Sequence, residues 1–78
     1  MELEFRNKHG EYLLSFKGQF AKEVQRVLYK IPEMIKSEKP ISGKGTFVVY
    51  KVVKECGYTF FGSVELILPE GSYIKIIH

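Results

Sequence analysis

The chain has 78 residues, 45% of them hydrophobic and 14% aromatic, and its twelve Lys and Arg against nine acids leave a formal charge of +3. That length argues for one small domain over residues 1–78, and the apolar content excludes a disordered chain. No apolar run approaches the roughly 18 residues of a membrane span, and Met1–Phe5 has no basic stretch leading into an apolar one, so no signal peptide is expected.

A single Cys56 cannot form an internal disulfide, which favours an intracellular, cytoplasmic protein. The chain has no Asp, no Trp, one Asn and two His. Catalysis draws on acids, bases and nucleophiles placed close together. This thin pool points away from an enzyme, and neither a cofactor nor a metal is expected.

The predicted elements follow a recurring turn signature. Asn7-Lys8-His9-Gly10, Lys54-Glu55-Cys56-Gly57 and Leu68-Pro69-Glu70-Gly71 each bring a Gly shortly before a Tyr. A Gly after a type I turn supplies the left-handed residue of a bulged hairpin. Each signature separates two apolar, β-prone runs, so three hairpins are predicted. The strands then run over about 2–6, 11–17, 45–54, 58–68 and 72–77, with Gly62 marking a bulge or sharp bend.

Between the second and third strands, Phe20, Val24, Val27, Leu28, Ile31 and Ile35 recur at three- and four-residue spacing, which predicts one amphipathic helix. Gly18 stands at its start. Pro32 lacks the N–H that would bond Leu28 and clashes with that carbonyl. The helix therefore kinks there, or ends near Ile31 and restarts as a short turn through Ser37. Residues 37–44 read as a connecting loop.

The predicted order is ββαβββ, an α+β fold with one helix on a curled, mostly antiparallel five-stranded sheet. The opening hairpin and helix resemble the first half of a β-grasp domain in element order. The C-terminus lacks the Gly-Gly tail of the conjugating ubiquitin-like proteins, and no function follows from the resemblance.

Strand alternation sorts the side chains into two faces. Leu3, Phe5, Tyr12, Leu14, Phe16, Val48, Tyr50, Val52, Val64, Leu66, Ile74 and Ile76 form the set under the helix. Phe47, Val49, Phe61, Ile67 and Tyr73 fall on the opposite face, where an apolar surface marks either a curled sheet or an interaction site. Self-association through these five residues, giving a homodimer, is the expectation. On the helix, Lys22, Arg26 and Lys30 stand four apart with Tyr29 beside them. This basic stripe suits an acidic partner protein.

The leading functional reading is thus a small non-enzymatic protein-binding module, a regulator, inhibitor or assembly factor. The alternative is nucleic-acid binding through the same stripe together with Lys51 and Lys75, whose aromatic neighbours could stack on bases. A small-ligand or nucleotide site at a subunit interface is a third reading. Lys17 at the helix start, with Lys39 and Lys44 in the loop, are candidate anion contacts. Ser42-Gly43-Lys44-Gly45-Thr46 is a fragment of a phosphate loop, but a strand follows it where a helix is required. His9, Cys56 and His78 are the only soft metal ligands and are not expected to converge.

Overall fold

The computed structural model describes residues 1–40 and 46–78. It has one helix and seven strands in two antiparallel sheets, an α+β fold that is mostly sheet. Strands β1 (Glu2–Arg6), β2 (Tyr12–Lys17), β3 (Met34–Pro40), β4 (Thr46–Val52) and β7 (Tyr73–Ile77) form a five-stranded sheet in the order β2-β1-β7-β4-β3. Strands β5 (Cys56–Phe60) and β6 (Val64–Leu68) form a separate hairpin, and helix α1 spans Gly18–Leu28.

The first hairpin follows from the chemistry of Asn7. Its Oδ1 accepts the backbone N–H of His9 at 2.9 Å and of Glu11 at 3.0 Å. Gly10, with φ of +81°, takes the left-handed position that a side chain would disfavour. Phe5 pairs with Leu14 but Arg6 pairs with Tyr12, so Leu13 is an extra, bulged residue. This bulge corrects the expectation for Tyr12. It turns the ring away from Leu14 and Phe16 to the opposite face, beside Arg6.

The helix is shorter than its apolar spacing suggests. Lys30 N–H donates to the Val27 carbonyl and Ile31 N–H to the Leu28 carbonyl, the tighter bonds of a terminating turn. Pro32 then forbids another α-helical turn. Ile31 and Met34 stay buried, but Ile35 belongs to β3 and is half-exposed. Residues 34–40, expected as helix end and loop, are thus an edge strand paired with β4 from Met34↔Val52 to Pro40↔Thr46.

Two of the three predicted hairpins are corrected as well. The Gly57 signature joins β4 to β5, and the Gly71 signature joins β6 to β7, in each case passing between sheets. The predicted strand 58–68 instead folds back on itself, pairing Phe60 with Val64 around Phe61 and Gly62. Both turn residues have positive φ, +55° and +71°, the geometry of a tight hairpin turn. The 69–72 turn is tied to the end of β4, with Gly71 N–H on the Val52 carbonyl and Val52 N–H on the Ser72 carbonyl, each at 2.9 Å.

The helix and the β5–β6 hairpin pack on the same face of the five-stranded sheet. One cluster holds Leu3, Phe5, Ala21, Val24, Leu28, Tyr50, Val52, Phe60, Leu66, Leu68, Ile74 and Ile76. Phe16 is the junction. Its ring meets Phe5, Phe20 and Phe60 edge-on, with centroids 5.5, 4.7 and 6.4 Å away. Edge-to-face contacts of this kind stabilise by about 0.5–1.5 kcal/mol beyond the area they bury.

Candidate functional site

With one face of the large sheet under the helix and hairpin, alternation fixes what the other face presents. The register places Tyr12, Arg6, Tyr73, Lys51 and Ile35 in one row across the five strands. The next row is Ser15, Glu4, Lys75, Val49 and Ser37. The last carries Lys17, Glu2 and Ile77 on three strands, and Phe47 opposite Lys39 on the other two. Tyr12, Ile35, Lys51 and Ile77 are exposed.

This face holds five cations, Arg6, Lys17, Lys39, Lys51 and Lys75, against the two carboxylates Glu2 and Glu4. The face therefore has an excess of three positive charges, whereas the other described residues carry six cations against seven acids. Glu4 is further engaged by Arg6, whose Nε donates to its Oε1. That hydrogen bond, opposed by desolvation, pushes the Arg6 guanidinium above its ordinary pKa. A second guanidinium nitrogen donates to the Gly10 carbonyl at 2.7 Å, fixing Arg6 between the sheet and the first turn.

Each aromatic ring on the face carries a cation. Arg6 lies 5.8 Å from the centre of Tyr12, and Lys39 lies 5.6 Å from Tyr73. The Lys75 ammonium is shared, 5.6 Å from Phe47 and 5.9 Å from Tyr73. Such contacts stabilise by about 0.5–1 kcal/mol at exposed sites, little enough for a ligand to displace. Beneath them Val49 is fully buried, although it lies outside the main core. A cleft lined by Phe47, Lys75, Ile77 and His78 opens at one end of this face.

The residues expected to form the helix stripe sit elsewhere. Lys22 and Arg26 are exposed on α1, whereas Tyr29 caps the helix and Lys30 lies beyond it. Arg26 donates to Glu23 Oε1 at 2.8 Å, which locally neutralises it. Lys30 stands 5.7 Å from the Tyr29 ring. The stripe is therefore one i,i+4 pair and a turn, with one of its charges already paired.

The five residues expected to drive self-association divide between the sheets. Phe47, Val49 and Tyr73 share the cationic face, while Phe61 is the hairpin tip and Ile67, 75% exposed, lies on β6. Phe61, with Tyr58, Val27, Glu23 and Arg26, lines a groove between hairpin and helix.

Of the candidate anion contacts, Lys17 and Lys39 lie on the outer edge strands of the cationic face. Lys17 is also the helix N-cap, without a side-chain cap bond, and the Gly18 N–H donates to the Met1 carbonyl at 3.0 Å. Lys44 and the phosphate-loop fragment from Ser42 to Gly45 lie outside the described residues.

Among the described residues, no three His, Cys, Asp or Glu side chains gather as metal ligands. Burial pushes the Cys56 thiol above its ordinary pKa, with Glu33 and Glu55 adding to the effect, so it is held as the weakly nucleophilic thiol. No described helix is long and apolar enough to cross a membrane.

Sequence reasoning found Tyr73, Lys75, Phe47 and Lys51, and Lys39 as an anion contact placed in a loop, but missed the contribution of Arg6 and Tyr12. Those two needed the bulge at Leu13, and placing Lys39 on this face needed the edge strand. The chain has no significant match among known protein families, curated proteins or solved structures.

Proposed function

We propose that the protein is a binding module for single-stranded nucleic acid and that the outer face of the five-stranded sheet is its binding surface. The observation that carries this reading is the coincidence of the net positive charge with the aromatic side chains on one face. Cations alone would suit any polyanion. Rings interleaved with cations suit a polyanion that also carries flat, stackable groups. The lysine ammonium groups would move from the rings to phosphates, and the ring faces so uncovered would take bases.

The reading favours the sheet face over the helix stripe because Arg26 is already paired with Glu23. It also departs from a purely apolar self-association surface, since Lys75 and Lys39 lie among Phe47, Val49 and Tyr73.

Binding of a fluorescein-labelled oligothymidylate, followed by anisotropy over a range of salt, tests it. Counterion release gives a slope of about −0.7 per phosphate contact for single strands. Three contacts, from Lys39, Lys51 and Lys75, would give a slope of roughly −2 in log affinity against log salt. Failure to bind at low salt, or equal affinity for an oligoglutamate of matched charge, would overturn the assignment.

A further inference from the structure

The positions of the rings say more than that the face binds single strands. Tyr12 and Tyr73 lie in one row on β2 and β7, with β1 between them. Adjacent strands are about 4.8 Å apart, so their backbones are separated by about 10 Å. Tyr73 pairs with Lys51, so Phe47 lies four residues further along β4, about 13 Å at a strand's rise. The two rings nevertheless lean together, because the shared Lys75 ammonium requires their centroids to be within about 11.5 Å of each other. The ring-bearing residues thus run from Tyr12 along one row to Tyr73 and then along the strands to Phe47, at backbone steps of at least about 10 Å, with a cation beside each ring.

Bases stacked within a helix follow one another at about 3.4 Å. Steps of this length cannot follow such a stack. We infer that the sheet holds a tract of three splayed nucleotides, one base on each of Tyr12, Tyr73 and Phe47, with Lys39, Lys51 and Lys75 turned to its phosphates. The tract must be single-stranded and unstacked, so the face selects against duplexes by spacing rather than by charge. This inference rests on the proposed function and adds the number of bases, their path across the sheet and the residue that takes each.

The test uses the whole chain and a ligand series, so that it does not depend on any variant folding. Affinity for oligothymidylates of increasing length is expected to climb steeply to three nucleotides and then flatten. Replacing any one of three bases with an abasic site is expected to weaken binding by about 5- to 150-fold, the range for losing one stacked base. The protein has five Tyr and no Trp, so quenching of tyrosine fluorescence reports the stacking directly. Tyr73→Ala is expected to match the abasic loss, with Tyr73→Phe restoring affinity. If single strands bind but abasic sites, Tyr73→Ala and a competing duplex all leave affinity unchanged, the stacking tract is overturned while charge-led binding stands. If no single strand binds at low salt, both are overturned.

Discussion

The double variant Lys39→Glu/Lys75→Glu is expected to lose about 100-fold or more in affinity for oligothymidylate, taking roughly tenfold for each charged contact removed. The matched control is Lys22→Glu/Arg26→Glu on the helix. Each pair moves the formal charge from +3 to −1, so long-range attraction falls equally in both. They differ only in place. Reversing Lys75 also puts a carboxylate between Phe47 and Tyr73, where two ring faces now meet an ammonium. Reversing Arg26 breaks one exposed ion pair with Glu23, a contact that contributes at most about 1 kcal/mol to stability. The helix variant is therefore expected to stay folded and to bind within a few-fold of the parent. Anisotropy titrations of both, with thermal melts to confirm folding, decide the matter. Equal losses in the two variants would mean that the face has no special role.

Phe5→Ala is expected to lower stability by about 3–5 kcal/mol, the usual cost of emptying a large buried aromatic site. Phe5 is 1% exposed, pairs across the sheet with Leu14 and Ile74, and meets Phe16 edge-on. Through Phe16 it supports both the helix and the β5–β6 hairpin, so the cavity has rigid walls and cannot easily collapse. A chain of this length has about 4–12 kcal/mol of total stability. The variant should thus melt at least about 12 °C lower, if it folds at all. Phe47→Ala, on the outer face, should change the melting temperature far less while weakening nucleic-acid binding. A Phe5→Ala loss below about 1 kcal/mol would contradict the assignment of this face as the core.

The first hairpin, the helix start and the alternation of β4 and β7 could all be read from residues. Asn7 and Gly10 announce the turn, and Phe20, Val24 and Leu28 announce the helix. Val48, Tyr50, Ile74 and Ile76 sort correctly from Val49 and Tyr73 because those strands keep strict alternation. What could not be read has specific causes. Ile31 and Ile35 extend the helical spacing by chance, although they lie on either side of Pro32. Strand β3 is an edge, and its Lys36, Ser37, Glu38 and Lys39 give no apolar alternation to detect. Gly62 signals a bend, but a full reversal depends on Phe61 adopting a backbone conformation unusual for a bulky residue.

The candidate site was legible in the same uneven way. Tyr73 and Lys75 stand two apart on one strand, so alternation alone joins them. Tyr12 reaches that face only through the extra residue at Leu13. Lys39 reaches it only because residues 34–40 are a strand. Charge balance, too, becomes informative only with the faces known. The chain's +3 looks modest when spread over 78 residues, but an excess of three on one side of one sheet is substantial.

The most direct test of the central claim is to map the binding surface by NMR, recording amide and lysine side-chain shifts of isotopically labelled protein as oligothymidylate is added. The expected result is a set of changes centred on Tyr12, Tyr73, Lys75, Phe47 and Lys39, with α1 unaffected. Changes centred instead on Lys22, Arg26 and the β5–β6 hairpin, or no changes at low salt, would contradict it.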